Sequence, residues 1–289
     1  MSDDEKPVVS VFDSSALLKT LKRVPAEARP TLVPTPLPVE ADVPGFAVPT
    51  EVTVEPKTPV LAQTLVSGSA LGEELRLLVA RIKVLGEERP FRCIGMVSAA
   101  GSEGKTTLAI GLAAAIARQP GRRVLLVEAD LRRAAIEKYL GLLPEPGLAE
   151  WLAEGNGPLP IRSVQPAGFC VLSGGQVRVA PELLGSQRMA RLLEGARRFF
   201  HYVVVDCPPI TPVADSVVMQ DLLDGFLFVV RARRTPRQAV LRAISQLKPD
   251  RVRGVLFNDQ RELLTGHYGY RYSYQYGYGE GQHPSSGTP

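Results

Sequence analysis

Ten residues restrict this chain more than any others. Ser98-Ala99-Ala100-Gly101-Ser102-Glu103-Gly104-Lys105-Thr106-Thr107 fit the pattern Ala/Gly-x-x-x-x-Gly-Lys-Ser/Thr, with Ala99 in the first place. Before them, Cys93-Ile94-Gly95-Met96-Val97 is a short apolar run suited to a buried parallel strand; after them, the Ala- and Leu-rich stretch to Arg118 favours a helix. Strand, Gly-rich loop and helix in that order form a phosphate-binding P-loop. Gly101 and Gly104 let the backbone curl so that several N–H groups face a polyphosphate, with the positive end of the helix behind them. The expected nucleotide contacts are Gly101, Ser102, Glu103, Gly104, Lys105, Thr106 and Thr107. Lys105 reaches the β- and γ-phosphates of ATP or GTP, and the Thr106 hydroxyl ligates Mg²⁺.

The remaining apolar runs alternate with helical stretches. Strands are expected at 93–98, 123–128, 202–206, 226–230 and 252–257, and helices at 104–118, 131–140, 182–200, 214–223 and 236–247. Runs such as Val203-Val204-Val205 and Phe226-Leu227-Phe228-Val229-Val230 lack polar alternation, so both faces of those strands are buried. The fold class is therefore α/β, a P-loop nucleotide-binding fold with a mostly parallel sheet covered by helices on both faces. Leu71, Leu75, Leu78, Val79, Ile82 and Leu85 fall at helical spacing and predict an amphipathic helix ahead of the first strand.

Three segments follow: a Pro-rich leader (1–64), the P-loop domain (65–262) and a Tyr-rich tail (263–289). Residues 1–60 hold 10 of the 25 prolines and no sustained apolar periodicity, so the leader is read as largely disordered. Phe12, Leu17, Leu18 and Leu21 could line a short helix over Val11–Arg23, with Asp13 or Ser14 as its N-cap. No run of about 18 apolar residues is present. The acidic start does not resemble a signal peptide, and Cys93, Cys170 and Cys207 show no disulfide or metal spacing. A cytoplasmic location is expected. Of the net charge of +4, the first 60 residues contribute 6 basic and 9 acidic side chains, which leaves the rest near +7 and suits an anionic partner.

Phosphoryl transfer needs carboxylates near the metal, and two strand ends supply them. Val203-Val204-Val205-Asp206 is an apolar strand ending in Asp, placing Asp206 to hold Mg²⁺ or its water. In Val124-Leu125-Leu126-Val127-Glu128-Ala129-Asp130-Leu131-Arg132-Arg133, both Glu128 and Asp130 leave one strand end, an arrangement that calls for a cation or a proton between them. An acidic loop with an ion pair to Arg132 is the plainer alternative.

These motifs, with Asp206-Cys207-Pro208-Pro209, Asp224-Gly225 and Gly254-Val255-Leu256-Phe257-Asn258, resemble the bacterial tyrosine kinases of polysaccharide export over about residues 65–280. That family carries Glu before Gly-Lys in the P-loop, an Asp-x-Asp-x-Arg segment, a strand-end Asp and a C-terminal tyrosine cluster. Here Tyr268, Tyr270, Tyr272, Tyr274, Tyr276 and Tyr278 recur at every second position. The resemblance implies ATP-dependent autophosphorylation of this cluster on magnesium, with Lys105, Glu128, Asp130 and Asp206 catalytic. Metal would be organised by Thr106, Asp130 and Asp206, while Asn258 would contact the adenine.

The resemblance also implies regulation of exopolysaccharide or capsule polymerisation and export. The partners would be an activating inner-membrane polysaccharide co-polymerase, which recruits the kinase to the inner face of the membrane, and a cognate tyrosine phosphatase. A homo-oligomer, possibly a ring, is implied as well; no nucleic acid is. Two departures stand out. Glu128 replaces the first Asp of Asp-x-Asp-x-Arg, and Val79 replaces the last Arg of a ring-forming Glu-x-x-Arg-x-x-Arg that otherwise matches Glu73 and Arg76. A ParA/MinD-like positioning ATPase is the rival, but its signature Lys would stand where Ala100 does. A nucleotide-gated scaffold with weak kinase activity is the other alternative.

Overall fold

A computed structural model describes residues 8–12, 46, 49–54, 69–155, 157–175, 181–211 and 215–260. Among the described residues, nine strands form one sheet: β1 (Val8–Phe12), β2 (Thr50–Thr53), β3 (Cys93–Ser98), β4 (Val124–Glu128), β5 (Arg162–Gln165), β6 (Phe169–Leu172), β7 (Tyr202–Asp206), β8 (Gly225–Arg231) and β9 (Val252–Gln260). Their spatial order is β1-β9-β8-β3-β7-β4-β6-β5-β2. The six strands from β9 to β6 run parallel, while β5 is antiparallel to β6 and β1 to β9. The helices are α1 (Ala70–Glu88), α2 (Lys105–Ala117), α3 (Ile136–Leu140), α4 (Leu148–Glu154), α5 (Gln187–Phe199), α6 (Asp215–Val218) and α7 (Arg237–Ile244).

Side-chain alternation along the strands divides the core into two layers. Ile94, Met96, Leu126, Val204, Leu227 and Val229 face α1 and α2 on one side. Cys93, Val97, Leu125, Val127, Val203, Val205, Phe226 and Phe228 face α4, α5 and α7 on the other. Burial on both faces is why the strands carry no polar alternation. Helix α2 is covered almost all round, with Leu108 to Ile116 buried, which explains its Ala-rich rather than amphipathic sequence.

Helix α1 starts where Ser69 Oγ accepts from the Gly72 amide at 3.0 Å, and it buries Leu71, Leu75, Leu78, Val79 and Ile82. Fully burying each large side chain contributes about 1.5–3 kcal/mol. Val79 is thus a core residue of this layer, whereas Glu73 and Arg76 pair with each other at 2.8 Å on the exposed face.

Several expected elements are shorter than their sequence pattern. The helix expected over 131–140 begins only at Ile136, because residues 131–135 form a loop closed by Glu128. The one over 182–200 is split into a 3₁₀ turn, Pro181–Gly185, and α5, with Ser186 Oγ capping the Met189 amide. The one over 214–223 reduces to the short α6. Parts of the leader join the sheet: β1 and β2 are edge strands, so Val11 and Phe12 end a strand rather than begin a helix. The rest of that proposed helix, and the whole tyrosine cluster, lie outside the described residues. Among the described residues, no helix is long and apolar enough to cross a membrane.

Candidate active site

The site lies at the carboxyl ends of the central strands, where the chain crosses from β3 past β7 to β4, and where open α/β sheets place their ligands. The P-loop leaves β3 with Ser98 Oγ donating to the Ala100 carbonyl at 2.6 Å. Gly104 adopts φ 93° at the N-cap of α2, and a Cβ there would come within 2.0 Å of Asn258 Nδ2. Only glycine fits this close approach and this left-handed backbone. Lys105, the first residue of α2, is buried.

Asn258 braces the loop from β9, its Nδ2 donating to the Glu103 carbonyl at 2.9 Å. Arg231 Nη1 approaches the Ser102 carbonyl at 3.4 Å and its Nε donates to Asp259 at 2.8 Å. Glu103 is itself buried: its Oε1 accepts from the Thr235 hydroxyl at 2.8 Å, and its Oε2 has no hydrogen-bond partner among the described residues. Burial pushes this carboxyl above its ordinary range, against the pull of the Thr235 hydrogen bond and the Lys105 charge. The β8–β9 side of the site thus grips the P-loop through main-chain and side-chain groups. Thr235 and Arg231 lie far from the motif in sequence, and no local pattern marks them.

Asp206 ends β7 between β3 and β4, in register with Met96 on one side and Glu128 on the other. Both of its oxygens are buried, and among the described residues neither has a well-formed hydrogen bond. Desolvation pushes the carboxyl up to about 7, against the nearby Thr106 hydroxyl and Lys105 ammonium, with Glu128 and Asp130 adding repulsion. A buried carboxylate so poorly satisfied, beside a threonine hydroxyl, fits a divalent cation bound there with the nucleotide.

Asp130 stands on the β4–α3 loop, where the amides of Ala129 and Asp130 both donate to the Asp206 carbonyl, at 2.8 and 3.1 Å. Burial raises its carboxyl, while Lys105, the Arg133 amide and the Arg133 guanidinium favour its ionised form. On the same loop, Arg133 Nη1 is 3.0 Å from where a Cβ on Gly101 would sit, so its guanidinium lies over the P-loop. Arg132 donates to Asp215 at the start of α6, at 2.8 Å. The ion pair expected for Arg132 therefore exists, but reaches across to α6 rather than back to its own loop.

Glu128 differs most from its expected role. Its Oε1 accepts from the amides of Ala135 and Ile136, at 2.5 and 2.8 Å, and its Oε2 from the Gly174 amide at 2.8 Å. Those bonds fill three of about four acceptor positions on the carboxylate. Lys105, Thr106, Asp130 and Asp206 are thus brought together, with Glu128 adjacent but engaged elsewhere.

Residues 94–262 match the CobQ/CobB/MinD/ParA nucleotide binding domain. The chain is 38% identical to the succinoglycan biosynthesis transport protein ExoP of Rhizobium meliloti over 60% of its own length and 23% of ExoP. It is 28% identical to the tyrosine-protein kinase YwqD of Bacillus subtilis over 68% of its own length and 85% of YwqD. Among solved structures, it matches the kinase domain of the Escherichia coli tyrosine kinase ETK at 31% identity and a TM-score of 0.65, covering 75% of this chain and 86% of that one. The chain spans less than a quarter of ExoP, so only the nucleotide-binding part of that protein is matched. On fold, site and likeness together, the chain belongs to the CobQ/CobB/MinD/ParA nucleotide-binding family and, within it, to the bacterial tyrosine-kinase domains.

Proposed function

We propose that the protein is an ATP-dependent protein-tyrosine autokinase that modifies its own tail at Tyr268, Tyr270, Tyr272, Tyr274, Tyr276 and Tyr278. One observation carries this reading: Lys105, Thr106, Asp130 and Asp206 converge at the head of the P-loop in a chain similar to the ETK kinase domain. The P-loop amides and Lys105 hold the β- and γ-phosphates of ATP. Thr106, Asp206 and Asp130 would hold Mg²⁺, which supplies charge neutralisation at the phosphates when bound. The phenol oxygen attacks the γ-phosphorus, the bond from that phosphorus to the β–γ bridging oxygen breaks, and ADP leaves.

The phenol proton passes to the Asp130 carboxylate. A phenol with pKa near 10 is a poor nucleophile at neutral pH, so a nearby carboxylate that accepts its proton helps the attack. Arg133, over Gly101, is placed to meet charge on the transferred group. The Asn258 amide that holds Glu103 also lies against Gly104, so adenine recognition by this residue would use its remaining groups.

The biological setting we propose is control of exopolysaccharide or capsule polymerisation and export, supported by likeness to a succinoglycan biosynthesis transport protein. In that setting, an inner-membrane co-polymerase would recruit and activate the kinase, a phosphatase would reset it, and copies of the chain would assemble for tail modification between subunits. The test is incubation of purified protein with γ-labelled ATP and Mg²⁺, beside Lys105→Met. Phosphotyrosine in wild type and none in the mutant supports the reading; ATP hydrolysis without phosphotyrosine refutes it.

A further inference from the structure

We infer that Glu128 is a positioning residue: it closes the β4–α3 loop on itself and so fixes Asp130 and Arg133 over the P-loop. This rests on the kinase reading and refines one of its groups.

The loop leaves β4 at Glu128 and returns so that the amides of Ala135 and Ile136 meet the side chain of the residue at which it began. Between those points lie Asp130, Arg132 and Arg133. Asp130 is placed through backbone bonds to Asp206 and Arg133 lies over Gly101. The second carboxylate oxygen ties the loop to Gly174, just after β6. Nearby, buried Arg162 joins the same two segments, donating to Glu137 of α3 and to Ser173 Oγ. The carboxylate thus joins the end of β4, the start of α3 and the segment after β6, and it is only 1% exposed.

Side-chain length decides the role. An Asp at this position, as the kinase family carries, would end roughly 1.5 Å shorter. From the observed N···O distances of 2.5 to 2.8 Å, it could not keep all three amides within hydrogen-bonding range. A Gln has the right length and can still accept from Ala135 and Ile136, but it would turn an NH₂ group towards the Gly174 amide. Gly174 allows a second approach from the opposite side: a Cβ there would lie 2.9 Å from Ala134 Cβ and 3.2 Å from Glu128 Oε2.

The experiment compares full-length wild type with Glu128→Asp, Glu128→Gln, Gly174→Ala and Asp130→Asn. A synthetic 263–289 peptide serves as acceptor, and kcat, KM for ATP and melting temperature are read. A displacement of about 1 Å can cost about 100-fold in rate. Glu128→Asp and Gly174→Ala are therefore expected to lower kcat by about 10- to 100-fold, with KM for ATP within about twofold because the P-loop is intact. Glu128→Gln, which can keep two of the three amide bonds, should lose less rate than Glu128→Asp, while Asp130→Asn should lose more than either. Glu128→Gln less active than Glu128→Asp would overturn the inference in favour of Glu128 as the base, because only Asp keeps a carboxylate. Unchanged kcat with only a lower melting temperature would overturn it in favour of a purely structural role. Wild type that transfers no phosphate to any tyrosine would instead refute the kinase reading on which the inference rests.

Discussion

Asp206 should destabilise the nucleotide-free protein, and the size of that penalty follows from its burial. Its carboxyl is pushed up to about 7 by desolvation, from 3.8, against the nearby Thr106 hydroxyl and Lys105 ammonium. Between these values the folded state binds the proton and the unfolded state does not. Stability therefore falls as pH rises through this window, and the penalty is complete above about 7. At about 1.36 kcal/mol per unit, the full penalty is on the order of 4 kcal/mol. Rather less than half of it is already present at pH 5, so on the order of 2–3 kcal/mol more develops between pH 5 and pH 8. Asp206→Asn is a neutral near-isostere and removes this dependence. Urea denaturation of both proteins, with chelator and without nucleotide, should show a gap in the mutant's favour that is on the order of 2–3 kcal/mol wider at pH 8 than at pH 5. Metal and nucleotide should narrow that gap while the mutant loses phosphotransfer. An equal gap at the two pH values would refute the reasoning, because it would mean that Asp206 ionises in the fold as easily as in water.

Lys105→Met should abolish binding of fluorescent ATP analogues, since a neutral side chain cannot balance phosphate charge; undiminished binding would show that Lys105 does not hold the phosphates. Gly104→Ala should cost at least about 1–2 kcal/mol from the left-handed backbone alone and should displace Asn258 from the Glu103 carbonyl, readable as a lower urea midpoint and weaker nucleotide binding. Changing all six tail tyrosines to Phe should remove phosphotyrosine, whereas label persisting at Tyr139 or Tyr202 would move the acceptor into the folded domain. Full tail phosphorylation adds roughly −9 to −12 charges and should release self-associated protein in sedimentation, less so at high salt, where repulsion is screened within about 8 Å.

Much of this architecture is legible in the sequence because each signal is short-range. Val203-Val204-Val205-Asp206 and the β3 strand, P-loop and α2 sequence need only periodicity and a glycine at φ 93°. Leu71, Leu75, Leu78 and Ile82 mark α1 by spacing alone, and all four are buried. What escapes is decided by partners distant in sequence. Residues 131–135 have helical composition, but the amides of Ala135 and Ile136 are claimed by Glu128, which delays the helix. Glu128 itself looks like a catalytic carboxylate beside Asp130 until Gly174, 46 residues away, appears as its partner. Strands β5 and β6 are four residues each and carry little pattern, and β1 and β2 draw their register from β9 and β5 rather than from the Pro-rich sequence around them. Asn258 is legible as a site residue but not as a brace, since its bond to the Glu103 carbonyl spans 155 positions.

The central claim, phosphate transfer from a P-loop site to tail tyrosines, is tested most directly by a mixture of two defective proteins. One carries Lys105→Met with an intact tail, and the other an intact site with all six tail tyrosines changed to Phe. Incubated together with ATP and Mg²⁺ and mapped by mass spectrometry, the mixture should carry phosphate at Tyr268 to Tyr278 of the Lys105→Met chain, which neither protein acquires alone. Hydrolysis of ATP in the mixture with no phosphotyrosine on either chain would contradict the account.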